Sequence, residues 1–421
     1  MVTPKVELIP LRSVVASDAS VSMTVLIRIT PPKPEVYFTR PTLNLAIVID
    51  RSGSMEMGNK MEYAQKAASV AVEALLPTDR VSITIFDDHA ITIFPNGFPI
   101  NKPAILASIA QIVPRGGTDL FRGYSEGGKQ TEANLVPDGL NRILLVSDGR
   151  ANVGVVDPNT LAQEAQGLAS RGVSTTTLGV GIDYNEDLLE AMARSGEGNY
   201  YYIQSPVQLI DMFQTELQGL MSTVGDKVTL GLEPAAGVTV SEVLNDYPVT
   251  SNGRLQLSNL VIGMPLQTVI RLTIPAQSEA ISPLAIHLAW NDPSKETAMV
   301  LAERIAPLQP VTLNEWSASP AHPDVVEQEA LLLVARDQRQ ASDMMQQGDL
   351  SGTRDILSRG MNRLAGIRGS EEVMSEMAAL NEMDEAIDAN ELLHFMKSAK
   401  YRARRRMTGT STPPTDENNK P

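Results

Sequence analysis

Residues 43–49, LNLAIVI, are apolar at every position but Asn44. A strand made of them has no face to give to water. It belongs in a mostly parallel sheet covered by helices on both sides. The run ends in Asp50 and passes into a polar loop, RSGSMEMGNK, with hydroxyls at Ser52 and Ser54 and glycines at Gly53 and Gly58. A helical pattern starts near Lys60. The strand thus delivers a carboxylate and two hydroxyls to the carboxyl edge of a sheet, where open α/β folds bind their ligands.

The surrounding chain supports such a sheet. From 41 to 222 strand and helix patterns alternate. Strands are expected over 43–49, 80–86, 91–94, 142–147, 173–180 and 200–203. Helices are expected over 60–76, 103–112, 120–134, 158–170, 185–194 and 206–222. Asp87-Asp88-His89-Ala90 reads as a hairpin turn, so one short strand is antiparallel. On either side the period changes. Residues 1–40 carry VELIPLRSVV and VSMTVLIRIT, and residues 224–306 hold further strand runs separated by turn residues such as Asn252-Gly253. Two or three N-terminal strands cannot bury a face alone. The expectation is therefore an antiparallel β-sandwich of 1–40 plus 223–306, with a doubly wound, mostly parallel α/β domain (41–222) inserted in it. An N-terminal arm packed separately is the alternative. A linker (307–323), a helical region (324–406) and a disordered tail (407–421) complete the organisation.

Composition removes several functions. With no cysteine there are no disulfides, zinc-thiolate sites or cysteine nucleophiles, and the four histidines are scattered. A net charge of −15 argues against nucleic acid as the main partner. No apolar run has the length of a membrane span, and the first residues lack the basic-then-apolar order of a secretory signal. A cytoplasmic location is the expectation. The basic run 397–406, with Lys397, Lys400, Arg402, Arg404, Arg405 and Arg406, suits either an anionic partner or a helix end paired with the acidic body. The methionines of the terminal helices read as core filler. No phosphate-binding loop and no nucleophile elbow is present, so an enzyme is not expected.

Alone, D-x-S-x-S reads first as a strand end with helix-capping serines. Two more strand-end clusters change its weight. RGGTDL places Thr118 just before a helix, and LLVSDGRANVG places Asp148 at the end of an apolar strand. Asp50, Ser52, Ser54, Thr118 and Asp148 then come from three loops at one sheet edge. Two carboxylates and three hydroxyls suit a hard divalent cation, Mg²⁺ first, with Ca²⁺ or Mn²⁺ as alternatives. The neutral hydroxyls leave the ion electrophilic. Asp119 either approaches this site or caps the next helix, Gly149 lies beside it, and Asp87, Asp88 and Glu56 read as turn or solvated groups.

D-R-S-G-S at 50–54, G-G-T-D at 116–119 and S-D-G at 147–149 together resemble the metal-ion-dependent adhesion site of von Willebrand factor type A domains. The wider layout is similar to bacterial, cytoplasmic members of that group. The resemblance implies that Ser52, Ser54 and Thr118 bind the cation directly or nearly so. It implies that Asp50 and Asp148 anchor it directly or through water, and that an Asp or Glu of a protein partner completes the octahedron. In some relatives ligand capture shifts the last helix of the domain, here 206–222. A cation-dependent binding module (scaffold or adaptor) is the first functional expectation. An accessory subunit of an ATP-driven remodelling or metal-insertion complex is the second, and a metal-dependent hydrolase the third.

Overall fold

The computed structural model describes residues 3–32, 40–137, 139–293, 297–367, 370–389 and 391–409. The chain forms two compact units, one built on residues 39–223 and one that joins the N-terminal strands to residues 224–292 and to those from 297 onward. The chain opens with β1 (Lys5–Pro10), β2 (Val14–Ala16) and β3 (Val21–Thr30).

The α/β unit follows. Its elements are β4 (Thr42–Asp50), a 3-10 segment (Gly53–Asn59), α1 (Lys60–Ala74), β5 (Arg80–Phe86), β6 (Ala90–Gly97), α2 (Lys102–Ala110), α3 (Leu120–Glu132), β7 (Gly139–Ser147), α4 (Pro158–Ser170), β8 (Val173–Val180), α5 (Glu186–Ser195), β9 (Tyr200–Ile203) and α6 (Gln208–Met221). The strand order is β6-β5-β4-β7-β8-β9, parallel except for the β5–β6 hairpin. β4 is central, with Ile47 level with Ile83 of β5 and Leu144 of β7. Leu45, Ile47 and Ile49 share one buried cluster with Ala64 and Ala68 of α1 and Phe213 and Leu217 of α6. On the opposite face α3 packs closely. Gly123 and Gly127 lie where a Cβ would run into Phe86 and Val48. The continuous apolar character of β4 has this cause: both its faces are covered.

The second unit continues with β10 (Thr223–Pro234), β11 (Thr239–Val243), β12 (Leu255–Gln256), β13 (Leu260–Val261), β14 (Leu266–Ile274), β15 (Leu284–Asp292), β16 (Thr297–Arg304) and β17 (Gln309–Val311). Five helices follow: α7 (Leu313–Ala318), α8 (Pro323–Gln346), α9 (Leu350–Ala365), α10 (Glu371–Asp388) and α11 (Leu392–Met407). One antiparallel sheet has the order β1-β3-β14-β11, and the other β12-β10-β15-β16 with β13 beside β10. N-terminal β3 therefore sits inside the first sheet, with Val25 opposite Ile270. Val25, Ile27 and Leu272 meet Leu230, Ile286 and Leu288 in the sandwich core. The α/β segment is inserted in the sequence of a β-sandwich, and helices follow, as the sequence leads one to expect.

The first sheet is buried on its other face too. Leu26 and Val269 pack with Val325, Leu332 and Ala335 of α8 and with Ala403 and Met407 of α11. Arg28 pairs with Asp324 at 2.6 Å and Arg271 with Glu329 at 2.7 Å.

The stretch 307–323, expected to be a linker, is structured. β17 pairs in parallel with β2, and Thr312 and Glu315 form a reciprocal cap on α7. The Arg12 guanidinium lies 5.0 Å from the Trp316 ring centroid. Each of these contacts reaches back to the first residues of the chain or is a local cap. Composition, which suggested a linker, records neither. Of the tail expected to be disordered, Met407 ends α11 and its carbonyl accepts from Asp246 N–H at 3.0 Å, whereas 410–421 lie outside the described residues.

The basic run belongs to the protein's own packing. Lys397 and Lys400 are buried, and Arg406 and Arg402 face Glu372 (2.5 Å) and Glu382 (3.8 Å) of α10. Met345 and Met383 fill the helical core, while Met374 is exposed. Among the described residues no helix is long and apolar enough to cross a membrane.

Candidate metal centre

β4 and β7 are neighbours in register, so their carboxyl ends bring Asp50 and Asp148 side by side. Both are fully buried, and Ser52 and Thr118 are nearly so. Asp50 Oδ1 accepts the Ser52 N–H at 2.8 Å, and Oδ2 accepts the Ser147 hydroxyl at 2.6 Å. Asp148 Oδ1 accepts the Ser54 hydroxyl at 2.7 Å, and Oδ2 accepts Lys60 Nζ at 2.5 Å. Ser52 Oγ and Ser54 Oγ are 3.0 Å apart.

Gly149 shows where these oxygens converge. A Cβ added to it would lie 3.1 Å from Thr118 Oγ1, 3.5 Å from Ser54 Oγ and 3.8 Å from Asp50 Oδ2. The three loops named from the sequence therefore meet at one point, and the absence of a side chain at 149 keeps that point open. Asp119 is used elsewhere. It accepts the Arg122 N–H at 3.1 Å as the cap of α3.

Other residues hold the ring in place and carried no signal in the sequence. Asn152 Oδ1 accepts the Thr118 N–H at 2.9 Å, and Asp88 Oδ1 accepts the Gly117 N–H at 3.1 Å. Gly116 has φ +70° and lies so close to Asp88 that a Cβ there would stand 2.6 Å from its Oδ2. A side chain would be strained and would collide. Asp87, read from the sequence as a plain turn residue, is buried beneath this loop. It pairs with Arg51 at 2.8 Å and Arg115 at 2.9 Å. Burial works to raise its carboxyl, but the Arg115 and His89 hydrogen bonds and the Arg51 charge outweigh burial and hold it below the ordinary value. Lys60 read only as a helix start. D-D-H-A does mark a turn, but nothing local announces that its acids reach residues about 30 positions away.

Burial pushes Asp50 up to about 6, against the Ser147 and Ser52 hydrogen bonds, and neighbouring Asp148 adds to the rise. An ionised Asp50 therefore gains from a nearby positive charge. The donor set is wholly oxygen. Among the described residues no group of three or more His, Cys, Asp or Glu side chains is placed to hold a metal ion by itself. Any cation here would rest on two carboxylates with hydroxyls beside them, a donor set that suits a hard ion. The residues fit such an ion.

The von Willebrand factor type A domain family matches residues 44–215. The protein sll0103 of Synechocystis is 27% identical over 341 residues, which cover 77% of this chain and 79% of that one. YfbK of Escherichia coli is 27% identical over 270 residues, 61% of this chain and 47% of its own length, so the chain spans about half of that relative. Among solved structures, a von Willebrand factor type A protein from Catenulispora acidiphila superposes with a TM-score of 0.74 at 16% identity, covering 98% of both chains, which shows a shared fold. Residues 44–215 are therefore a von Willebrand factor type A domain, and the chain has relatives in bacteria.

Proposed function

We propose that this protein is a divalent-cation-dependent protein-binding module, a scaffold or adaptor and not an enzyme. Its partner would supply an Asp or Glu carboxylate to the site formed by Asp50, Ser52, Ser54, Thr118 and Asp148. The observation that carries the reading is the convergence of Thr118, Ser54 and Asp50 oxygens at Gly149, beside the buried Asp148. Mg²⁺ is the ion we infer, with Mn²⁺ or Ca²⁺ able to use the same oxygens. Bound there, the ion supplies positive charge and a position open to a carboxylate.

The side chains serve holding better than proton transfer. Both oxygens of Asp50 and both of Asp148 accept hydrogen bonds from the protein itself. These bonds fix both carboxylates in place, and each oxygen keeps a lone pair that a cation can take. A cytoplasmic setting goes with this reading.

The test has two parts. Calorimetric titration with MgCl2 and MnCl2 should give one site in the wild type and none in Asp50→Ala. Pull-down from native extract, with Mg²⁺, with chelator and with Asp50→Ala, should yield partners in the first sample alone. Equal titrations of wild type and variant would refute the cation site. Partners unchanged across the three samples would refute its role in capture.

A further inference from the structure

Lys60 is the first residue of α1, and it is buried. Both facts are unfavourable on their own. The N-terminus of a helix already carries positive partial charge, and a lysine inside a protein loses water and rotamer freedom. Its ammonium ends 2.5 Å from Asp148 Oδ2, while the other oxygen of that carboxylate holds Ser54. Gly181 makes room for it. A Cβ there would lie 3.5 Å from Lys60 Cε and 3.6 Å from Nζ. Among the described residues no other cation is paired with Asp148. The guanidinium groups of Arg51 and Arg115 are engaged with Asp87.

We propose that Lys60 is a positioning residue that sets the charge of this site, weakening its hold on a divalent cation and strengthening the loaded site's hold on a carboxylate. The inference rests on the cation reading above. Asp50 and Asp148 contribute two negative charges, and Lys60 returns one. With a divalent cation the ring is then net positive by one, and a partner carboxylate brings it to neutrality. Without Lys60 the loaded ring is already neutral, and a carboxylate makes it negative. Lys60 also occupies one oxygen of Asp148, so that residue offers the ion its Ser54 side only. The site is thus arranged to bind ion and partner together and to hold the ion less firmly alone.

The test uses the full-length protein with Lys60→Gln, whose amide can still donate to Asp148, and Lys60→Met, which cannot. Mn²⁺ is titrated by calorimetry without and with saturating sodium acetate. In the wild type acetate should tighten Mn²⁺ binding. In both variants Mn²⁺ alone should bind about tenfold or more tightly than in the wild type, as expected for one unit charge removed a few ångströms away, and the acetate effect should shrink or vanish. Variants that are unfolded in chelator but fold on adding Mn²⁺ give the same answer, since the ion then replaces the ammonium. Folded variants with unchanged or weaker Mn²⁺ affinity would overturn the proposal, as would variants that stay unfolded in Mn²⁺, which would mark Lys60 as a purely structural counter-ion. If wild type and Asp50→Ala bind Mn²⁺ alike, it is the underlying cation reading that fails.

Discussion

The Ser147 hydroxyl donates to Asp50 Oδ2 at 2.6 Å, across the boundary between the two central strands of the α/β sheet. Ser147 is the last residue of β7 and is fully buried. Its bond is the largest single effect opposing the burial of Asp50. Ser147→Ala should leave that oxygen without a donor. We expect a loss of about 1–3 kcal/mol of stability in chelator by urea denaturation, the range for an orphaned buried acceptor. Cation affinity should fall as well, because Asp50 becomes harder to ionise. An unchanged denaturation midpoint would mean that the hydroxyl does not support the carboxylate.

The raised value of Asp50 fixes the direction of a pH effect. Its folded value of about 6 lies above the ordinary 3.8. Its contribution to stability is full below about pH 4 and is lost as pH rises through about 6. The difference corresponds to about 3 kcal/mol. Comparison with Asp50→Asn in chelator isolates it from carboxyls such as Asp87 that shift the opposite way. Wild type should lose stability relative to the variant between pH 4 and 7. Cation affinity should be level above about pH 7 and fall by up to tenfold per pH unit below about 6, as protons compete for Asp50. A flat affinity from pH 5 to 8 would contradict a buried, ionising ligand.

Gly149→Ala tests the convergence point directly. The added methyl would sit 3.1 Å from Thr118 Oγ1 and 3.5 Å from Ser54 Oγ, and the backbone there has no positive φ to strain. We expect thermal stability in chelator close to that of the wild type, with Mg²⁺ or Mn²⁺ affinity reduced by at least about tenfold by steric exclusion. Gly116→Ala should behave differently, since φ is +70° and Asp88 stands in the way. It should lower stability together with affinity. If Gly149→Ala binds the cation as well as wild type, the ion does not sit among these oxygens.

What could be read from the sequence follows physical range. β4 was legible because residues buried on both faces leave a continuous apolar run, and β5, β8 and β9 begin and end where their patterns do. The meeting of the three loops was legible because they carry short, ordered spacings. In β3, Val25-Leu26-Ile27 breaks strict alternation because Leu26 faces α8 and α11 while its neighbours face the sandwich. That break was visible, but not which element covered the second face. Lys60 with Asp148, and Asp88 with Gly117, are pairings over 88 and 29 residues. Only folding brings such partners together, so local pattern gives no hint of them. β17 and α7 were missed for the same reason, since one depends on β2 and the other on a single cap.

Glu216 lets the last helix of the α/β unit be tested in the same way. It is buried on α6, where Oε1 accepts the Thr176 hydroxyl at 2.7 Å and Oε2 accepts Asn199 Nδ2 and the Tyr201 hydroxyl, each at 2.8 Å. Arg142 lies 3.8 Å away on β7 and also donates to Thr176 Oγ1 at 3.2 Å. One carboxylate therefore ties the helix to β7, β8, β9 and the residue before β9. Sliding α6 along the sheet would break several charge-assisted bonds at once. Glu216→Ala leaves the buried Arg142 guanidinium without its counter-charge and should cost about 3–5 kcal/mol, the range for breaking a buried ion pair. Tyr201→Phe, which removes one donor, should cost about 1 kcal/mol. Urea denaturation measures both. Cation affinity of folded Tyr201→Phe should equal that of wild type, because the latch and the cation ring share no residue. A shift of more than threefold in that affinity would mean that the position of α6 is felt at the carboxyl edge of the sheet.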